Sequence, residues 1–277
     1  MSSSAPIGVF DSGIGGLSVL RSLLAMLPGE RFIYAGDSAH APYGERGDAY
    51  VMERSEAVLT HLRQSYGIKA FVIACNTATA AAGRSLRERH PDLPIIGIEP
   101  ALKPAALATR THRVGVLATR GTLSSEKFRL LRERLSGPVE FVPRPCDGLA
   151  SAIEKEASSQ DPEPADALID QYVGALGPLG DAPGQIDTLV LGCTHYAFVA
   201  ERIQQRAGPK VQLIDPGEAV ARHTRDLLSS KGVLATEPPG EPRLQLLDSG
   251  DGSSLGAAAQ RWLVGTEGEV VPQSFVV

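Results

Sequence analysis

The chain has 277 residues, of which 43% are hydrophobic and 21% are charged, and its formal net charge is −5. This length accommodates one large domain or two domains of about 100–150 residues. The acidic balance excludes the basic bias of a typical nucleic-acid-binding protein. The sequence has no cationic and apolar leader and no run of 18 apolar residues, so it predicts a cytoplasmic protein that does not enter a membrane.

The predicted elements begin with a buried strand at residues 7–10 and a glycine-rich turn at residues 11–16. A helix follows, with Leu17, Leu20 and Leu24 on one face. The N-terminus of such a helix can hold an anion, but the turn lacks the glycine spacing of a dinucleotide site and the lysine of a phosphate-binding loop. The pattern therefore favours a tight strand-to-helix turn over a nucleotide site.

A second strand is predicted at residues 31–34, and the polar loop after it, at 35–46, is long and rich in side-chain donors. Loops of this kind commonly carry binding residues, so we expect this one to line the functional site. The next helix is predicted over residues 52–66, with Gly67 as its C-terminal stop. In the second half of the chain, further helices are predicted over residues 124–135 and from Ile153 onward.

The apolar residues 71–73 predict a third strand, which leads into Cys75, Asn76 and Thr77 and then into an alanine-rich helical stretch. Cys75 would then lie at the start of a helix, where backbone N–H groups favour the thiolate. We therefore expect the pKa of Cys75 to lie below the ordinary value of about 8.5.

The same arrangement occurs again 118 positions later, where residues 188–191 lead into Cys193 and His195. The strand and turn at residues 113–122 likewise repeat the pattern of residues 6–15, at an offset of 107 positions. Two features in the same order at similar spacing predict an internal duplication, in which each half contributes one thiol to a shared cleft.

Strands that alternate with helices are typical of an α/β fold with parallel sheets and a ligand site at the carboxyl ends of the strands. Together with the duplication, this pattern predicts two pseudo-symmetric doubly wound lobes with the active site in the cleft between them. We assign residues 1–98 and 208–277 to the first lobe, which carries Cys75. Residues 99–207 form the second lobe, which carries Cys193.

Cysteines in these positions allow several kinds of chemistry. A redox disulfide is disfavoured because the chain has three cysteines and no Cys-x-x-Cys pair, and Cys146, in a proline-flanked loop, is interpreted as non-catalytic. A metal site of Cys75, Cys193 and His195 lacks close ligand spacing. A hydrolase with Cys193 as nucleophile and His195 as base leaves Cys75 without a role. Two opposed thiols instead suit proton abstraction from one face of a carbon and delivery to the other.

Four motifs, in order along nearly the whole chain, resemble those of the glutamate racemases. They are FDSGIGG at residues 10–16, AGDS with PYG within residues 35–44, ACNTA at 74–78 and LGCTHY at 191–196. The resemblance implies two α/β lobes, with the last segment of the chain returning to the first lobe. It also implies interconversion of L-glutamate and D-glutamate for peptidoglycan synthesis, with no cofactor: neither pyridoxal, metal nor nucleotide.

The resemblance further implies a role for individual residues. Cys75 would take the α-proton from D-glutamate and Cys193 from L-glutamate, with Asp11 assisting Cys75 and His195 assisting Cys193. The residues implied to bind the substrate are Asp11, Ser12, Tyr43, Gly44, Asn76, Thr77, Thr194 and His195, with Glu154 and Ser38 as further candidates.

Two alternatives stay open at this point. An aspartate racemase would use the same two-thiol logic on a shorter side chain, although its motifs differ from these. A non-catalytic binding or inhibitor protein on the same fold is disfavoured because both thiols and both assisting groups are present. The expected partner is a small-molecule substrate, with no nucleic acid and no membrane. The oligomeric state is left open, with a homodimer among the alternatives.

Overall fold

Aliphatic and β-branched runs form parallel strands in this chain, and the amphipathic stretches between them form helices. The computed structural model describes residues 2–135, 137–237, 242–263 and 271–277. The strands are β1 (Ile7–Asp11), β2 (Phe32–Gly36), β3 (Ala70–Ile73), β4 (Ile95–Gly97), β5 (Arg113–Ala118), β6 (Glu140–Pro145), β7 (Thr188–Leu191), β8 (Gln212–Ile214), β9 (Leu244–Asp248) and β10 (Gln273–Ser274).

The helices connect these strands. They are α1 (Leu17–Met26), α2 (Asp48–Tyr66), α3 (Asn76–Arg89), α4 (Leu102–Ala108), α5 (Arg120–Ser124), α6 (Glu126–Leu135), α7 (Leu149–Ser159), α8 (Glu163–Gly174), α9 (Ala200–Ala207), α10 (Gly217–Ser230) and α11 (Ser253–Trp262). Within the described ranges, none of them is long and apolar enough to cross a membrane.

The strands form two parallel sheets. The first has the order β10-β9-β2-β1-β3-β4 and the second has the order β6-β5-β7-β8. The block β2-β1-β3-β4 has the same order and connectivity as the whole second sheet, as the predicted duplication requires. The predicted α/β fold class is confirmed.

Each sheet is covered by helices on both faces. In the first lobe, α1, α10 and α11 pack on one face, while α2 and α3 pack on the other. In the second lobe, α7, α8 and α9 lie opposite α4 and α6. The predicted apolar face of α1 is confirmed, since Leu17, Leu20 and Leu24 are all buried. This is the doubly wound arrangement, in which a ligand site lies at the carboxyl ends of the strands.

Several predicted boundaries were wrong. The helix predicted from residue 52 begins at Asp48, directly after an extended glycine. The helix predicted over 124–135 is interrupted at Ser125, whose extended backbone separates α5 from α6. Helix α7 begins at Leu149, four residues before the predicted start at Ile153. Residues 149–152 therefore form a further helical turn at the start of α7.

The predicted lobe boundary at residues 207 and 208 also needs correction. Strand β8 (Gln212–Ile214) pairs with β7 in the second sheet, so the second lobe extends at least to Ile214. The chain returns to the first lobe with α10, which packs against α1. The boundary predicted after residue 98 falls between β4 and α4, which belong to different lobes.

Candidate active site

A cleft of about 560 Å³, which includes space open to solvent, lies at the carboxyl ends of the strands and is lined by both lobes. Because β3 and β7 occupy equivalent places in the two sheets, the cysteines that follow them reach this cleft from opposite lobes. The predicted site residues that line it are Asp11, Ser12, Tyr43, Gly44, Cys75, Asn76, Thr77, Glu154, Cys193, Thr194 and His195.

Ser38 is the predicted candidate that does not line the cleft. Its hydroxyl donates to the carboxylate of Asp248, at the end of β9. Strand β2 includes Ala35 and Gly36, so the polar loop that follows it covers residues 37–46. Ser38 supports this 37–46 loop and does not lie on its cleft-facing side.

Cys75 occupies the N-cap of α3. The backbone N–H of Ala78 donates to its sulfur at 3.4 Å, and its thiol donates to Ser12 Oγ at 3.9 Å. The expected lowering of its pKa was wrong, because burial raises the pKa of Cys75 to about 12 and the nearby Asp11 carboxylate adds to the rise. The hydrogen bonds from Ala78 and with Ser12 work in the opposite direction but are outweighed. At neutral pH, Cys75 is therefore a thiol.

Cys193 has a different environment, although it ends the equivalent strand. A 3-10 helix (Thr194–Val199) follows it, and its side chain makes no capping bond there. Its sulfur lies 3.7 Å from His195 Nδ1, and His195 Nε2 lies 3.3 Å from Glu154 Oε2. Burial opposes the charged imidazole, but the hydrogen bonds to Cys193 and Glu154 prevail and raise the pKa of His195 well above its ordinary value.

Asp11 is fully buried at the end of β1. Its carboxylate accepts hydrogen bonds from the backbone N–H of Gly13 at 3.1 Å and from Thr194 Oγ1 at 3.4 Å. Burial raises the pKa of Asp11, and the charge of His195 partly offsets that rise. The carboxylate therefore connects the first lobe to the loop that carries the second thiol.

The glycine-rich turn has a role that the sequence did not reveal. A Cβ atom at Gly13 would overlap with Glu154 Oε1, and one at Gly15 would overlap with the ring of His195. The backbone N–H of Ile14 donates to Glu154 Oε1 at 3.3 Å. The glycines therefore allow two side chains of the second lobe to approach the backbone of the first.

Asn76 is a buried group with unused hydrogen-bonding capacity. It is 4% exposed, and among the described residues neither atom of its amide has a hydrogen-bond partner. Buried polar atoms are rarely left without a partner, so an amide that faces a cleft in this way is suited to a bound ligand.

Thr119 lines the cleft and was not predicted. Its hydroxyl lies 3.0 Å from that of Thr77, so the pair connects the two lobes. At the offset of 107 positions, Thr119 corresponds to Ser12, and this repeat was the signal that could have identified it. Other lining residues that sequence reasoning did not select are Pro42, Glu45, Arg120, Asp147, Gly148, Ala150 and Ser151.

Cys146 also lines the cleft, although it was interpreted as non-catalytic. Its side chain is almost fully buried, and its thiol donates to the carbonyl of Arg144 at 3.3 Å. Burial raises the pKa of Cys146 to about 12. The structure gives it no histidine or carboxylate partner among the described hydrogen bonds.

The comparisons with known proteins agree on one group. The family model described as Asp/Glu/Hydantoin racemase matches residues 7–224. A glutamate racemase of Ectopseudomonas mendocina (strain ymp) is 50% identical over 236 residues, which cover 85% of this chain and 87% of the relative.

Two solved structures share the fold over the whole chain. Escherichia coli glutamate racemase in complex with L-glutamate and the activator UDP-MurNAc-Ala has a TM-score of 0.82 at 29% identity, covering 98% of this chain and 97% of that one. Glutamate racemase from Francisella tularensis in complex with D-glutamate has a TM-score of 0.81 at 28% identity, covering 99% of this chain and 98% of that one.

Proposed function

Because this chain belongs to the Asp/Glu/Hydantoin racemase family, we propose that its cleft interconverts L-glutamate and D-glutamate through the thiols of Cys75 and Cys193. Its activity is glutamate racemisation, which makes it an isomerase and a source of D-glutamate for peptidoglycan. The observation that supports the two-thiol mechanism is that both cysteines follow equivalent strands and line one cleft.

The proton transfers balance without any other reactant. With L-glutamate, the Cys193 thiolate takes the α-proton, so that a Cα–H bond breaks and an S–H bond forms. The electron pair stays on Cα and is delocalised into the adjacent carboxylate. The Cys75 thiol then gives its proton to the opposite face, which yields D-glutamate and a Cys75 thiolate. The reverse reaction uses the same groups with their roles exchanged.

His195 is proposed to prepare Cys193 for this step. Its Nδ1 lies 3.7 Å from the sulfur, and Glu154 supports the charged ring from the other side, so His195 can accept the proton of Cys193. Cys75, with its raised pKa, already holds the proton that it must deliver. These two environments fit the L-to-D direction, in which Cys193 accepts a proton and Cys75 delivers one.

Glutamate carries two carboxylates and one ammonium group, and the cleft offers partners for each. The amide of Asn76 has unused donors for a carboxylate. The hydroxyls of Thr77 and Thr194, which contact Thr119 and Asp11, can turn toward the substrate and donate to it. Asp11 and Glu154 are the carboxylates placed to face an ammonium group. Donors fixed before the substrate arrives would also stabilise the carbanion, which a very weak carbon acid requires.

The experiment that tests the mechanism follows L-glutamate and D-glutamate separately in deuterated buffer with wild type, Cys75→Ser and Cys193→Ser. Circular dichroism measures the rate of racemisation. We expect this rate to fall at least 100-fold in both variants, within the roughly 10²- to 10⁴-fold range for loss of a general acid or base. Each variant keeps one thiol, so Cys75→Ser should exchange the α-hydrogen of L-glutamate only, and Cys193→Ser that of D-glutamate only. Cys146→Ser is the matched control and should racemise like wild type.

Each unexpected result has a distinct meaning. Reduced, folded wild type that leaves glutamate unchanged would refute the proposed function. Full activity in either catalytic variant would instead refute the two-thiol mechanism while leaving the function intact. L-Aspartate in a parallel reaction tests the other substrate, and turnover of aspartate in preference to glutamate would contradict the assignment.

We also propose that the reaction takes place in the cytoplasm, since all three cysteines are free and a reducing compartment keeps them so. Sedimentation velocity would decide whether the chain forms a homodimer.

A further inference from the structure

The side chain of Tyr43 has a fixed place below the cleft. It is 1% exposed, packs with Phe10 in the apolar core between the first sheet and helices α2 and α3, and donates its hydroxyl to Asp37 Oδ2 at 2.6 Å. Its hydroxyl is therefore already used within the protein. Tyr43 and the adjacent Gly44 nevertheless line the cleft, so their position depends on what holds Asp37.

Asp37 is the acceptor at the centre of this support. It is fully buried, and besides Tyr43 it accepts from Arg54 Nε and Nη2, each at 3.0 Å, in a bidentate pair. His40 Nδ1 lies 3.0 Å from its Oδ1. Burial alone would raise the pKa of Asp37, but the hydrogen bonds from Arg54, Tyr43 and Ser249 lower it, so the carboxylate stays charged and can hold all of these donors.

Arg54 has one guanidinium nitrogen left, and it binds the last segment of the chain. Its Nη1 donates to the backbone carbonyl of Val277 at 2.8 Å. That segment is held in turn by β10, which pairs with β9, and by Phe275, which is buried and stacks on His61 of α2 with 5.3 Å between ring centroids. The guanidinium therefore joins α2, the 37–46 loop and residues 273–277.

From this geometry we propose that Arg54 is a positioning residue of the racemase: through Asp37 it fixes Tyr43 and Gly44 at the cleft, and the backbone of Val277 fixes Arg54. The inference rests on the proposed function, because it assigns this support a role in glutamate binding. Arginine suits the position, since its planar fork can serve a carboxylate with two nitrogens while a third reaches another acceptor. Lysine, a single ammonium group, cannot do both.

The test compares KM and kcat for both enantiomers in wild type, Arg54→Lys and Tyr43→Phe. We expect KM to rise about tenfold in each variant with kcat within about twofold, the size of one lost hydrogen bond to a charged group. Deletion of Val277 should also raise KM, because it removes the acceptor of Arg54 Nη1. The double variant Arg54→Lys/Tyr43→Phe should have a KM no higher than that of the poorer single variant, because both substitutions break the same hydrogen-bond network.

Arg63→Lys is the matched control. Arg63 lies on the same helix and forms a comparable bidentate pair with Asp92, but that pair is exposed and remote from the cleft. We expect the KM and kcat of Arg63→Lys to equal those of wild type. The thermal unfolding midpoint of every variant is recorded beside its kinetics.

Two outcomes would overturn the proposal. One is a lower unfolding midpoint in Arg54→Lys with KM unchanged, which would make Arg54 a purely structural residue. The other is additive effects in the double variant, which would separate Tyr43 from Arg54. If Arg54→Lys does not fold, Tyr43→Phe decides alone, since an unchanged KM there contradicts the proposal. Inactive wild type would instead refute the proposed function.

Discussion

The two thiols end equivalent strands but have different neighbours. Cys75 has Asp11, Ser12 and the N–H of Ala78 nearby, whereas Cys193 has His195 in contact with Glu154. L-Glutamate and D-glutamate have equal free energies in solution, so kcat/KM must be the same in both directions for every variant. The asymmetry of the two sulfurs can therefore appear only in kcat and KM taken separately.

Burial of Cys75 has a consequence for stability at alkaline pH. Its pKa is about 12 in the folded chain, above the ordinary value, so the folded state keeps a proton that the unfolded chain loses above about pH 9. Stability therefore falls as pH rises, by about 1.4 kcal/mol per pH unit for one such thiol. We expect urea unfolding between pH 9 and 10 to show a shallower decline in Cys75→Ser than in wild type.

Cys146→Ser serves as a comparison in that experiment, since burial also raises the pKa of Cys146 to about 12. Cys146→Ser should reduce the decline of the free energy of unfolding with pH by a similar amount, and it should keep its racemase activity. An unchanged slope in both variants would show that these thiols do not titrate differently in the folded and unfolded states.

At the scale of single residues, sequence patterns predicted many of the residues that line the cleft but not the electrostatics of Cys75. Cys75 was placed correctly at the start of a helix, which is a local property. The direction of its pKa shift depends on burial and on Asp11, which is 64 positions away in the chain. Glu154 was only one candidate among several, because its contact with Ile14 spans 140 positions.

At the scale of elements, α3 carries a glycine that can be replaced. Gly83 lies in the middle of this helix, and a Cβ there would meet its nearest atoms at 3.6–4.0 Å, which is ordinary contact. We expect Gly83→Ala to raise the free energy of unfolding by about 0.5–1 kcal/mol, because alanine loses less backbone entropy in a helix. Chemical denaturation measures the change, and racemase activity should be unaffected.

Gly67→Ala is the contrasting variant. A Cβ at Gly67 would also have free space, but the residue ends α2 in the left-handed conformation with φ of +60°. Alanine there should lower stability, since a side chain disfavours this backbone. A higher free energy of unfolding in Gly67→Ala, or a lower one in Gly83→Ala, would show that backbone conformation does not determine the effect of these substitutions.

Element boundaries followed the sequence where a strong stop was present and departed from it elsewhere. Gly67 ended α2 as predicted, because the left-handed residue is a local signal. The start of α7 at Leu149 and the 3-10 helix after Cys193 depend on tertiary packing, which no local pattern encodes. Strand β10 has two residues, too few to show a periodicity.

At the scale of the whole molecule, an aromatic pair joins the two lobes away from the cleft. Trp262 of α11 stacks on Phe198 of the second lobe, with 3.8 Å between ring centroids and 5° between planes. We expect Phe198→Ala to lower the free energy of unfolding by at least the 0.5–1.5 kcal/mol typical of such pairs. The emission of Trp262, the single tryptophan of the chain, should shift to longer wavelength as its ring face meets water.

Phe198→Tyr keeps an aromatic ring at this position and is the control, with emission and stability close to wild type. Unchanged emission in Phe198→Ala would mean that Trp262 does not rest on Phe198 in solution. Fluorescence and denaturation together therefore report the contact between the lobes.

The duplication was the most reliable prediction at this scale, since two motifs at offsets of 107 and 118 positions give a constraint that single elements lack. The equivalent strand orders β2-β1-β3-β4 and β6-β5-β7-β8 support the predicted duplication. The lobe boundary was missed because β8 has three residues and its partner strand, β7, is identified only by the sheet.

The placement of Cys75 and Cys193 on one cleft has a further consequence if both transfer protons as proposed: the free enzyme then has two protonation forms, and the enantiomer released last determines which form is present. In the proposed mechanism, release of D-glutamate leaves the proton on Cys193 and a thiolate at Cys75, and this form accepts D-glutamate and not L-glutamate. Before the next L-to-D turnover, the proton must be redistributed through solvent or through neighbouring acids. At very high substrate concentration this resetting, and not the carbon chemistry, would limit the rate, so that the two proton isomers of the empty enzyme become kinetically visible.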